Sequence, residues 1–168
     1  MGAMVRAGGT HGSTGAAGFG HDQLNRLTDK GDRGMSGTSV TENGCPVEPV
    51  VRTIAMPADT NPAGDIFGGW LMAQMDLAAG NAAARRAHGR CATIAVDGMV
   101  FHRPVLVGDE VSLYADIVQV GRTSMKIHVE AWRRPRHDEQ RFKVTEAMFT
   151  FVAIDENGRS RPVPPVQG

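Results

Sequence analysis

From Phe67 to Ala87 the apolar residues Leu71, Met75, Ala78, Ala79, Ala82 and Ala83 recur at spacings of three and four, the period of a helix with one buried stripe. At 1.5 Å per residue such a helix is about 30 Å long. His88-Gly89 closes it, with glycine where a helix C-terminus takes a positive φ. Every other patterned stretch has the period of a strand. A lone helix cannot bury its own stripe, so the strands must supply the surface that covers it.

Val50 to Met56 is short and rich in β-branched residues, and Pro57 ends it. Ala58 to Asp65 is a polar, turn-rich loop. Beyond the helix come Cys91 to Val100, broken by Gly98, and Glu110 to Val120. In Thr123 to Arg133 the apolar Met125, Ile127, Val129 and Ala131 alternate with Lys126, His128, Glu130 and Trp132. Gly121-Arg122 signals a tight hairpin, and Pro135 to Gln140 a charged hairpin tip. Phe142 to Ile154 is the last strand, stopped by the turn Asp155-Glu156-Asn157-Gly158. Strand, long helix, then four antiparallel strands predicts an α+β hotdog fold, a curved antiparallel sheet wrapped around one long central helix. One such sheet leaves an edge open, and dimerisation is expected to complete it.

The text changes character near Pro46. Residues 1–46 hold more than half of the 21 glycines, and their apolar residues follow no period. They predict a disordered glycine-rich leader, because such a segment buries too little surface to offset its ordering entropy. Met35 inside it is an alternative translation start. The reading is therefore a leader over 1–46, one domain over 47–161 and a flexible C-terminal tail over 162–168.

Lys plus Arg and Asp plus Glu both number 18, a balance that points to neither nucleic acid nor an anionic membrane surface as partner. The long helical stretch carries Gln74, Asp76 and Arg85, too polar for a bilayer span, so no membrane insertion and a cytoplasmic location are expected. Cys45 and Cys91 lie far apart without a metal-binding or disulfide spacing, and Cys91 reads as a small core residue.

Chemistry is densest in Asn61-Pro62-Ala63-Gly64-Asp65-Ile66-Phe67-Gly68-Gly69-Trp70. Asp65 sits in a loop just before the helix, and Gly68 and Gly69 fall in its first turn, at a cost of about 1 kcal/mol each relative to alanine. Glycine there suits close approach to the backbone, where unpaired N–H groups and the helix dipole favour negative charge. A thioester carbonyl is one candidate, since its oxygen turns negative as a nucleophile adds. Asp65 is placed to act as general base on water or to attack the carbonyl itself. The alternative is that Asp65 caps the helix and the glycines serve packing. Asn61 either orients the water or loop, or makes an Asx turn before Pro62.

Arg52 to Asn61, then Gly64-Asp65-Ile66-Phe67-Gly68-Gly69-Trp70, His88-Gly89-Arg90, Phe101 with Arg103-Pro104, Val107-Gly108-Asp109 and Gly121-Arg122-Thr123-Ser124 closely resemble the bacterial YciA-type acyl-CoA thioesterases. The resemblance runs from about Val50 to Arg161. The sequence departs from the family at His102, where the family carries an apolar residue, and in the glycine-rich leader. The resemblance implies hydrolysis of acyl-CoA to a free carboxylic acid and coenzyme A by a dimer or trimer of dimers. It implies no cofactor and no metal, coenzyme A being part of the substrate. Asp65 is then the catalytic carboxylate, with Asn61 and Gly69 beside it in the catalytic motif. Coenzyme A is expected at Gly68, Arg90, Arg122, Thr123 and Ser124. Its phosphates would suit a basic surface, and Arg85, Arg86, His88, Arg90, Arg122, Arg141 and Lys143 are the candidates, any of which is otherwise a solvated charge. Two rivals remain. A hotdog dehydratase would use a histidine in the motif, and none lies between Met56 and Ala87. A non-catalytic acyl-CoA sensor would have no use for Asp65.

Overall fold

In the computed structural model residues 48–165 are described, so the expected leader, Cys45 and Met35 lie outside the described residues. The elements in chain order are β1 (Val51–Ile54), a 3-10 turn (Pro57–Asp59), α1 (Gly68–Ala87), β2 (Cys91–Asp97), β3 (Glu110–Val120), β4 (Ser124–Arg134) and β5 (Phe142–Ala153). The strands form one antiparallel sheet in the order β1-β3-β4-β5-β2. This is the expected hotdog arrangement, with α1 packed on one face of the sheet and touching all five strands.

Strand alternation decides what faces the helix. Met125, Ile127, Val129 and Ala131 of β4 are all essentially buried, and so are Ala147, Phe149, Phe151 and Ala153 of β5. From the helix side Leu71, Met75, Ala78, Ala79, Ala83 and Ala87 complete the core. Alanines along α1 let the sheet curl close around it. At Gly80 a Cβ would stand 3.6 Å from the Phe151 ring, the spacing of ordinary packing.

One local expectation is refined and one corrected. His88-Gly89 closes α1 with Gly89 at the expected positive φ (+156), and His88 before it also takes a left-handed conformation (φ 49, ψ 47). Gly89 also leaves room for the Arg161 side chain, whose guanidinium donates to Ala87 O (2.9 Å) and Ile154 O (3.1 Å). A cation on the last helical carbonyl is a C-terminal cap delivered from the far end of the domain. The strand expected over Cys91 to Val100 ends at Asp97, because Gly98 turns the chain with φ +60. Of the expected tail, residues 162–165 are described: Val163 N–H donates to Arg122 O (2.8 Å), and Arg86 Nη1 to Pro164 O (2.7 Å).

The loop between β2 and β3 is fixed by polar groups the core cannot leave unpaired. Asp109, 3% exposed, accepts from Leu106 N–H (3.0 Å) and Arg133 Nη1 (2.7 Å). Arg133 and Arg103 both stand near the Phe142 ring, at 5.5 and 5.0 Å. The fully buried Thr145 hydroxyl donates to Val100 O (2.8 Å), and His102 N–H to Val144 O (2.8 Å). Segment 100–102 is thereby pinned to β5, which carries Phe101 to the start of α1.

Candidate active site

The chain enters α1 through a closed loop. Thr60 and Ile66 pair as an isolated antiparallel bridge, and inside it Asn61 N–H donates to Asp65 O (2.8 Å). Gly64, at φ +86, makes the turn and donates to Asn61 O (2.9 Å). The Asn61 Oδ1 accepts from Ala63 N–H (2.9 Å) and Asp65 N–H (3.1 Å). The Asx-turn reading of Asn61 thus describes its oxygen, while its amide nitrogen has no partner among the described residues. Ile66 is fully buried and anchors the loop to the core.

Asp65 is half-buried, and its carboxylate makes no hydrogen bond or ion pair among the described residues. It does not cap the helix. The N-cap position belongs to Phe67, and no side chain bonds the first turn. The N–H groups of Gly68 and Gly69 likewise have no partner among the described residues, as the first amides of a helix must. A free carboxylate and two free donors therefore lie within a few residues of each other.

Rings stand against both glycines. A Cβ on Gly69 would collide with the Phe67 ring, and one on Gly68 would touch the Phe101 ring at 3.7 Å. Phe101, brought from beyond β2, was legible only as part of a motif. Its contact with Gly68 depends on a long-range docking that no spacing reveals.

Of the residues expected to hold coenzyme A, Gly68 is the first residue of α1, beside Asp65, and the other four gather elsewhere. Arg122, Thr123 and Ser124 form the β3–β4 hairpin, closed by Gly121 N–H on Ser124 O (2.8 Å). Thr123 O accepts from Ala153 N–H (2.9 Å), and Arg90 O from the next amide, Ile154 (2.9 Å). Arg90 and the hairpin thus converge on one stretch of chain. The Arg90 guanidinium also donates to Glu156 O (3.1 Å), across the exposed turn. This group adjoins the C-terminal end of α1, and Asp65 the N-terminal end. The 20 residues between make the separation about 30 Å. One chain holds both sets but does not bring them together. Arg85, Arg86 and His88 line an open cavity of about 940 Å³ at the same C-terminal end.

Lys143 lies at the far end of β5 from the Arg122–Ser124 hairpin, since Ser124 pairs with Val152 and Trp132 with Lys143. His128, Glu130 and Glu146 offer ligand atoms close enough for a metal ion. Lys143 Nζ already lies 2.6 Å from Glu130 and 2.7 Å from Glu146, a built-in cation where a metal would sit. The Lys143 hydrogen bond holds the Glu146 carboxyl below its ordinary value, with burial opposing. Cys91 is partly buried against the core, and burial pushes its thiol up, which suits a packing residue rather than a nucleophile.

One helix cradled by a five-stranded antiparallel sheet, with a carboxylate and free amides at the helix start, has the frame of a hotdog thioesterase. The thioesterase superfamily profile matches residues 63–139. An uncharacterized acyl-CoA thioester hydrolase of Zymomonas mobilis is 59% identical over 119 residues, 71% of this chain and 80% of that protein. The acyl-CoA thioester hydrolase YciA of Escherichia coli is 51% identical over 129 residues, 75% and 98% of the two chains. Among solved structures, an aspartate-to-alanine mutant of a hexameric broad-specificity acyl-coenzyme A thioesterase superposes with a TM-score of 0.68 at 49% identity, covering 71% and 88%. The chain belongs to the YciA-type acyl-CoA thioester hydrolases of the thioesterase superfamily.

Proposed function

We propose that this protein hydrolyses acyl-CoA to a free carboxylic acid and coenzyme A, with Asp65 as the reacting carboxylate. The observation that carries the reading is the pairing of an unpartnered Asp65 carboxylate with the unpartnered N–H groups of Gly68 and Gly69. In the general-base route Asp65 takes a proton from water as its oxygen adds to the thioester carbon. The carbonyl oxygen becomes negative and accepts from the two amides, donors that need no reorganisation at the moment of reaction. The C–S bond then breaks, and the departing thiolate takes a proton. In the nucleophilic route Asp65 adds first, the C–S bond breaks to release the coenzyme A thiolate, and water opens the resulting anhydride to free the acid and restore the Asp65 carboxylate. Asn61 holds the loop that aims Asp65.

Arg90, Arg122, Thr123 and Ser124 take the nucleotide end of coenzyme A. Their distance from Asp65 within one chain supports a site built from two copies. A homo-oligomer, a dimer or trimer of dimers, supplies them, in keeping with the hexameric assembly of the related thioesterase. Among the described residues no helix is long and apolar enough to cross a membrane. We place the activity in the cytoplasm, the compartment of coenzyme A esters, and assign no cofactor.

Asp65→Asn is the direct test, because it keeps size and removes the base. Turnover of acyl-CoA is expected to fall at least about a hundredfold, the scale of losing a general base. Coenzyme A binding by calorimetry should persist. Near-normal turnover would overturn the assignment of Asp65 and mean that another group carries the hydrolysis.

A further inference from the structure

Phe67 and Phe101 are large aromatics left 45% and 37% exposed, each lying against one of the two glycines whose amides are free. Neither position is needed to fill the core, which closes without them. Phe101 is nevertheless held firmly, its neighbours tied to β5 by the Thr145 hydroxyl and the His102 amide. A fold that anchors an exposed ring at such a spot is shaping a surface for something apolar.

We infer that Phe67 and Phe101 are specificity-determining residues, two aromatic walls that restrict branching at the acyl carbon next to the thioester. The inference rests on the hydrolase reading above. A carbonyl oxygen accepting from the Gly68 and Gly69 amides sits about 2.9 Å from their nitrogens. The acyl α-carbon, one C=O and one C–C bond further, then falls within about 5 Å. The Phe101 ring reaches 3.7 and 3.9 Å from the Gly68 Cβ position, and the Phe67 ring overlaps that of Gly69. Both rings therefore flank the amides that would hold the carbonyl, where the α-carbon and its substituents would have to pass. A straight chain passes between such walls with one hydrogen-bearing edge to each, whereas a second methyl group meets a ring. The rings also thin the water around the amides, which strengthens their hold on an oxyanion.

The test is kcat/KM for butyryl-CoA and isobutyryl-CoA, equal in carbon number and differing in branching at the α-carbon. It is measured on the full chain and on Phe67→Ala, Phe67→Leu and Phe101→Ala. The isobutyryl-to-butyryl ratio should rise about tenfold in each alanine variant, the low end of what one methyl group commands against a pocket wall. Phe67→Leu, which keeps bulk without a ring, should fall between. The ratio cancels the fraction of folded enzyme, so a partly unfolded variant still reports. A ratio within about twofold of the unmodified chain in both alanine variants overturns the inference while leaving the hydrolase reading intact. Absence of turnover by the unmodified chain on both substrates overturns the hydrolase reading and this inference with it.

Discussion

Asp109 shows how a residue shared with the catalytic family can serve the fold alone. Its carboxylate is nearly sealed from water, and its partner Arg133 is only slightly exposed. Removing one member of a buried ion pair strands the other, at about 3–5 kcal/mol. The Arg133 Nε is already a buried donor without a partner among the described residues, so little is left to compensate. Asp109→Ala should therefore lower unfolding free energy by about 3–5 kcal/mol in urea titration. A loss below about 1 kcal/mol would mean that water reaches the pair. The contrast with Asp65 explains what the sequence could disclose. Asn61, Asp65, Gly68 and Gly69 lie within nine positions, and turn chemistry and helix-end chemistry are local, so their juxtaposition was legible. The partners of Asp109 and the ring beside Gly68 come from distant strands. Their roles arise only when the sheet closes on α1.

At the scale of elements, α1 and β3 were placed from pattern to within a residue at each end, since long periodic segments over-determine themselves. Short β1 and the end of β2 were drawn too long, because propensity does not say where a partner strand stops. The close of α1 at His88-Gly89 was legible, with Gly89 at positive φ, but not that His88 itself turns left-handed and that Gly89 makes way for Arg161. Gly80, in mid-helix, gives a clean test of helix energetics. Glycine costs about 1 kcal/mol against alanine at such a site, and the added methyl would meet Phe151 at ordinary contact distance. Gly80→Ala should raise unfolding free energy by about 0.5–1 kcal/mol. A decrease in thermal or urea stability would show that Phe151 needs the closer approach.

Across the whole molecule the sheet has two edges, β1 and β2, and β2 is the longer. It is an edge strand with a bulge that drops Ile94 out of register, and Ile94 and Val96 stand 62% and 40% exposed. An apolar edge of this kind is a pairing surface for a second sheet. The two candidate ligand-binding sets, parted by the length of α1, make such pairing a requirement of the proposed chemistry rather than an aid to stability. The prediction at this scale concerns mixtures. One variant carries Asp65→Asn, the other Arg90→Ala with Arg122→Ala, and each alone is expected to turn over poorly at low acyl-CoA concentration. Co-expressed, they form hybrid pairs in which one site takes Asp65 and both arginines from undamaged positions. Purified hybrids should regain up to about half of normal activity per pair, one of two sites being whole. No recovery would mean that each chain serves its own site. The separation of about 30 Å along a single helix then has a genetic reading: two alleles, each broken at a different end of α1, can restore function in the same cell, and neither defect need behave as a simple loss.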